Sequence, residues 1–384
     1  MKTSVEVTVE DLADRAKHAR SWMMDAMFPL WAEQGVMQNG LFADRLDLNH
    51  RYLPAEKSRV RVQARQTYVF AAAMELGWEQ DTARELVKRG VQTLSRRARC
   101  PLGASGHLLS LKDIRLQGSH SVLYDTAFVL FALAHAHRVA GTSLDPAYEI
   151  LTVLDKHFWD FENGGYLETI PRLSHRDQNP HMHLLEACHA MFQADRRTIH
   201  LMRAGEIISL FEQYMFDEKT GALCEQFALD WMPLSDEAHD TIEPGHQFEW
   251  VWLLSQHAAL CGEAETQSLY PLYKTGCASL CPQGHVFNRI RRDGRPVDKS
   301  RRTWQQTDAL KAHLALFELT GEPLYAERAV RSFDVLMEAF LTPQGGWVDH
   351  LDATGKPLVD TMTAATGYHV VLAFRELMRV TGIR

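Results

Sequence analysis

Three histidines stand where a helix could begin, each in a stretch able to handle a proton. In Glu243-Pro-Gly-His-Gln-Phe-Glu-Trp250 the Pro-Gly pair cannot lie inside a helix. His246 therefore enters a helix in its first turn, with Glu249 three residues on and on the same face. Asn179-Pro-His-Met-His-Leu-Leu-Glu186 repeats the device with His183 and Glu186, and His369 follows Thr366-Gly-Tyr368. Imidazole titrates near neutrality, and a carboxylate one turn away can orient it. These stretches suit general acid–base work.

The positions recur. His183 to His246 is 63 residues, His246 to Gln306 is 60 and Gln306 to His369 is 63. Arg65 stands 118 residues before His183, and half that step lands on Tyr124. One polar, mostly proton-handling position in each sixty or so residues predicts a closed ring of helical hairpins. Arg65, Tyr124, His183, His246, Gln306 and His369 would converge at one end of it.

Helices able to carry those positions run over 60–76, 122–139, 181–193, 245–260, 304–319 and 365–380. A second set runs over 80–98, 145–159, 197–215, 265–280 and 323–340, with 8–34, opened by Thr8, as its sixth member. The first set is apolar on several faces and reads as inner. Joints from inner to outer helix are short and marked by Gly77, Gly141, Gly262 and Gly321, each placed as a helix-ending residue. The return connections are long. Phe161 to Tyr166, Phe216 to Gly221 and Leu341 to Trp347 look like one turn used three times. Gly165, Gly221, Gly284 and Gly346 mark its boundary. The expected fold is all-α: an (α/α)6 barrel of six inner and six outer helices, forming one domain over 1–384. Short β-hairpins lie in the loops at the active-site end. Six helix N-termini there would favour an anionic intermediate.

Composition narrows the partners. A net charge of −8 and a pI near 6.2 count against nucleic acid, and no basic helix face appears. No apolar run approaches membrane-spanning length and no signal-like start is present, so a cytoplasmic protein away from membranes is expected. Six cysteines contain no C-x-x-C pair and read as reduced core thiols.

Other readings compete. Any one of the histidines could be a satisfied core residue, although equivalent positions in several repeats weaken that. His181-x-His183-x-x-Glu186 has ligand-like spacing, but helix residues two apart point to different sides, and no H-E-x-x-H or cysteine cluster supports a metal. A glycosidase would use two carboxylates, with Asp125, Glu186, Glu249 and Asp308 as candidates, and would leave the histidines idle. A protein-binding helical scaffold would need no ring of proton-handling groups. Tyr68, Tyr124, Phe248, Trp250 and Trp304 could offer stacking faces to a sugar. Arg289, Arg291, Arg292, Arg295, Lys299, Arg301 and Arg302 form a basic loop, either solvated or a clamp for an anionic group.

Together, Arg65-Gln-Thr-Tyr68, Tyr124-Asp-Thr-Ala-Phe128, Asn179 to Glu186, Glu243 to Trp250, Trp304-Gln-Gln-Thr-Asp308 and Thr366-Gly-Tyr-His369 resemble the N-acylglucosamine 2-epimerase superfamily. The likeness runs from about residue 15 to the C-terminus and is greatest to the mannose isomerase and sulfoquinovose isomerase branch. It implies a barrel without metal or cofactor, acting on a free sugar by moving a proton at C2. The acid–base histidines would be His246 and His369, with Glu249 supporting His246. Arg65 would bind the sugar, and Asn179 and His183 would contact it or assist ring opening. Tyr124, Glu186, Trp304 and Gln306 would complete the substrate contacts. Gln66 and Tyr68 depart from the sulfoquinovose branch, where Met and His are expected, which bears on the substrate more than on the chemistry. The favoured reaction is mannose–fructose isomerisation, with 2-epimerisation as the alternative and glycoside hydrolysis as a weaker one. Monomer and homodimer are both open.

Overall fold

The computed structural model describes residues 9–384, so the expected start at Thr8 lies outside it. The chain is mostly helical, and its helices alternate between two environments. α2 (Val60–Glu75), α4 (Leu123–Ala140), α6 (Gln178–Asp195), α8 (Pro244–Cys261), α10 (Thr303–Thr320) and α12 (Thr366–Thr381) are buried around most of their circumference. α1 (Val9–Trp22), α3 (Gln80–Arg96), α5 (Asp145–Val153), α7 (Ile199–Leu210), α9 (Leu269–Cys277) and α11 (Pro323–Val335) bury one face or less. In α3 that face is Ala83, Leu86, Val87, Gly90 and Leu94, the spacing of an amphipathic helix on a core.

Each even-numbered helix packs on the next, and α12 packs back on α2, closing a ring. Each odd-numbered helix lies outside an even-numbered one, with α1 against α12. The shared core contains the fully buried Trp31, Trp250 and Trp347, and Trp31 stacks on Trp347 at 4.7 Å.

α4, α8 and α10 end on Gly141, Gly262 and Gly321 in the left-handed conformation, as expected from their positions. α6 ends the same way on Arg196, φ 63°, which no glycine announces. Four outer helices (α1, α5, α7 and α11) run into a π-turn: Met23–Met27, Leu154–Phe158, Phe211–Met215 and Leu336–Phe340. Each turns its first and last residues into the core, which is why the apolar pattern runs unbroken through it.

The recurring turn is used six times. Antiparallel pairs join Val36 to Phe42, Arg99 to Ser105, Trp159 to Tyr166, Phe216 to Leu223, Leu280 to Val286 and Leu341 to Trp347. A second tier of strand pairs links neighbouring connections around the mouth. It runs from Lys57–Arg59 with Leu108–Ser110 to Thr361–Thr363 with Arg45–Asp47. These pairs stand directly before the inner helices and fix where each helix begins.

Candidate active site

A ladder of side chains pins five of the six inner helices to their loops. Gln63 bonds both backbone groups of Phe42, at 2.9 and 2.7 Å. Thr126 accepts from the Ser105 N–H, His181 from Tyr166, Gln247 from Leu223 and Gln306 from Val286. Gly367 holds the sixth place, where an added Cβ would lie 3.1 Å from Trp347. Gln306 therefore spends its amide on Val286 and Arg302 backbone, apart from the sugar-contact role expected of it. Both ring nitrogens of His181 are similarly engaged, which removes it as a metal ligand.

Two residues further along each helix, the side chains turn into the ring: Arg65, Phe128, His183, Glu249, Asp308 and His369. The Arg65 guanidinium lies 4.0 Å over the Phe128 ring, and Phe128 lies 4.4 Å from the His183 ring. Ligand atoms of Glu249, Asp308 and His369 lie within 4.8 Å of one another, as do those of His183, Glu186 and Glu249. His246 and Trp304 stand a turn nearer the mouth. The Trp304 ring lies 5.0 Å from His246 and 6.0 Å from His369, so one indole spans the two histidines. On the other side Arg65 donates to the Tyr124 hydroxyl at 3.0 Å. Tyr124 and Asn179 share a recess, and the Asn179 carbonyl oxygen and Arg65 Nε are buried without partners. Arg65, Tyr124, Asn179, His183, His246, Trp304 and His369 thus come together. Tyr68, Phe248 and Trp250 are core packing: Trp250 stacks on Phe211 at 4.2 Å, and Phe248 packs edge-on against Tyr273.

The histidines differ in charge. His246 Nδ1 lies 2.8 Å from Glu225, a loop carboxylate and not the expected Glu249. Burial disfavours the charged ring, but Glu225, Glu243 and Glu249 outweigh it and push His246 up to about 10. His246 is an imidazolium at neutral pH. His369 moves the other way: burial, with Arg65 and Lys311 nearby, holds it well below its ordinary value. Its Nδ1 is 3.8 Å from Asp308, too long for a hydrogen bond. His183 is pushed down to about 3 by burial, so the neutral ring donates from Nδ1 to Glu186 at 3.1 Å. Tyr368 donates to Glu186 as well, at 2.5 Å.

Below the histidines lies Lys311, fully buried, 2.8 Å from Asp308, 3.5 Å from Glu249 and 4.1 Å over the Trp252 ring. Asp308 and Glu249 together keep it charged against the cost of burial. Two groups among the described residues have the donor spacing for a metal. In the one made by Glu249, Asp308 and His369, the ammonium already supplies the positive charge. Glu249 thus supports Lys311 directly and His246 only through space.

Sequence reasoning missed Glu225, Lys311 and Tyr368 as members of the site. Lys311 had a signal, being a lone cation in the apolar run Ala309 to Phe317. Glu225 had none, because its loop meets His246 only in the fold.

A ring of paired helices with proton-handling groups at its mouth also describes a known group of sugar enzymes. Residues 40–373 match the N-acylglucosamine 2-epimerase family, and the chain belongs to it. A Rhizobium meliloti (strain 1021) protein named mannose-6-phosphate isomerase is 32% identical over 383 residues, covering 96% of this chain and 97% of its own. The D-mannose isomerase of Thermobifida fusca is 29% identical, over 62% of this chain and 64% of that one. The structure of cellobiose 2-epimerase from Spirochaeta thermophila superposes with a TM-score of 0.88 over 99% of both chains at 22% identity, so the fold is shared. The protein is an enzyme, a sugar isomerase or 2-epimerase. No described helix is long and apolar enough to cross a membrane.

Proposed function

We propose that this protein is an aldose–ketose isomerase that interconverts D-mannose and D-fructose in the cytoplasm. Its single catalytic domain is a closed (α/α)6 barrel with the reaction at the inner helices' N-terminal mouth. The observation that carries the reading is the opposite protonation of two histidines joined by one indole. Groups whose surroundings push their pKa values apart divide acid and base roles between them. Neutral His369 takes the C2 proton while the His246 imidazolium gives a proton to O1. The enediol then returns its O2 proton to His246 as His369 delivers its own to C1. Arg65 donates to the oxygens on which charge builds. His183, Tyr124 and Asn179 hold the sugar, and His183 opens its ring.

Epimerisation at C2 is the second reading, favoured by the placing of two titratable groups on either side of Trp304. Hydrolysis is disfavoured because Lys311 lies between Glu249 and Asp308 and engages both carboxyls that would have to act on a glycosidic bond. A phosphate clamp on Arg291 and Arg292 is disfavoured because both are already paired, Arg291 with Asp240 and Arg292 with Asp217, as are Arg295 with Asp293 and Arg289 with Glu243.

The deciding experiment incubates the enzyme in heavy water with mannose, fructose, glucose and mannose 6-phosphate. Mannose and fructose should interconvert, with deuterium entering C1 of fructose and C2 of mannose. Glucose formed directly from mannose, without passing through fructose, would make the enzyme an epimerase. A strong preference for the phosphate, abolished by R291Q/R292Q, would overturn the free-sugar assignment.

A further inference from the structure

At the far end of the inner helices from the histidines lies a cavity of about 870 Å³. That is the size class of sites for drug-sized organic molecules. Phe131, Trp252, Leu253 and Leu372 give it an apolar wall, and charged side chains line the rest. Six helix C-termini gather at this end and on their own would make it negative. The side chains reverse that sign. Arg138 and Arg375 share the single carboxylate of Glu75, at 3.5 and 2.6 Å. Arg20 and Arg196 line the cavity with no ion pair among the described residues, and Arg20 Nε is buried without a partner.

His135 supplies an independent sign of a ligand. It is 7% exposed, lines the cavity and touches the rings of Tyr68 and Phe131, yet makes no hydrogen bond among the described residues. Burial and the nearby Arg375 and Arg138 keep it neutral, so it has one N–H to offer. With the ring packed on both sides by protein and no protein partner for its nitrogens, what that N–H can donate to is an occupant of the cavity.

We infer that this cavity is a second binding site, for an organic anion with a ring-sized apolar body. The anionic end meets Arg138, Arg375 and His135, and the body lies against Phe131 and Trp252. The site has a route to the chemistry. Glu186 lines the cavity and also takes the hydrogen bonds of His183 and Tyr368 on its other side. An occupant that shifts Glu186 shifts His183, so anion and sugar must alter each other's binding by the same factor. Only this coupling rests on the sugar reading; the binding itself does not.

The test uses 2-naphthoate as probe, followed by titration calorimetry on the full chain. One molecule should bind per chain, and neutral 2-naphthalenemethanol should bind at least about tenfold more weakly, as charge-assisted bonds require. R138Q, which removes one of the proposed anion contacts, should weaken naphthoate about tenfold without touching the sugar site. Q193W, which fills the cavity from its rim, should abolish it; both variants are first checked by thermal melting. Saturating D-mannose should change the naphthoate affinity, and naphthoate should change the mannose affinity equally. No binding at millimolar probe, equal binding of the neutral analogue, or binding that both variants leave intact would each overturn the site. Two independent affinities would overturn the Glu186 link.

Discussion

The division of charge between His246 and His369 comes from their neighbours, because the two rings are buried alike. His246 has a carboxylate at 2.8 Å and two more nearby; His369 faces Arg65 and Lys311, and at 3.8 Å Asp308 lies beyond its hydrogen-bond reach. The working form needs His369 neutral and His246 charged. Raising the pH through about 10 removes the acid, and lowering it through the depressed value of His369 removes the base. kcat/KM should therefore be flat across neutrality and fall above about pH 10, with its acid limb below 6.5. E225Q should bring the alkaline limb down toward neutrality, and an unmoved limb would remove His246 from the acid role. H246N and H369N should each cost about 10²–10⁴-fold, the usual contribution of a positioned acid or base. Solvent deuterium should stop entering C2 of mannose in H369N; wild-type exchange there would put the base elsewhere. Reading histidines at helix mouths in the sequence found these rings. It could not find Glu225, whose role depends on a loop folding over the helix start.

At the scale of the element, the inner helices present two rows of side chains two residues apart. One row clamps the loop below and the other faces the pocket. The repeat spacing read from the sequence was real, but it mixed the rows. Gln306 belongs to the clamping row with Gln63, His181 and Gln247, whereas its pocket neighbour is Asp308. Insertions in the long connections shift the count by a few residues per repeat, so spacing alone could not assign the row. Glycine and apolar patterns placed the helices and joints well, while the π-turns left no mark because their buried residues continue the helical stripe. α8 shows how tightly the start of an element is set. Its second residue is Gly245, where an added Cβ would lie 2.4 Å from the Trp304 ring and 2.7 Å from the Gln305 side chain. G245A must push Trp304 away from His246 and His369. Overpacking of this kind costs about 1–3 kcal/mol, and the larger effect should fall on kcat, since the indole spans both histidines. A variant that melts a few degrees lower but keeps full kcat would show that Trp304 is a wall and not a spacer.

On the scale of the whole molecule, the ring of helices surrounds an unusual number of buried titratable groups, and these decide how it answers acid. His181 is held at about 4, and His183, His189 and His313 at about 3, each by burial; His135 and His369 lie well below the ordinary histidine value. All six take up protons when the chain unfolds below about pH 6.5. Buried carboxyls work against them. Burial pushes Glu168 up to about 8 and Asp349 to about 6, and Glu186 is raised as well, so these hold protons in the folded state that they release on unfolding. His246, raised to about 10, is charged in both states near pH 5.5 and does not enter. Near pH 5.5 the histidines outnumber these carboxyls, so unfolding takes up protons there and stability falls as the pH drops. The sign is set below about pH 6: stability declines as the pH falls from there toward the folded-state values of the histidines. The melting temperature should drop between pH 6 and 5, and calorimetry at pH 5.5 in buffers of different ionisation enthalpy should show proton uptake at the transition. A melting temperature that holds or rises over that range would mean that the buried histidines are already charged in the folded protein. The neutral His369 required for proton abstraction would then be lost with them.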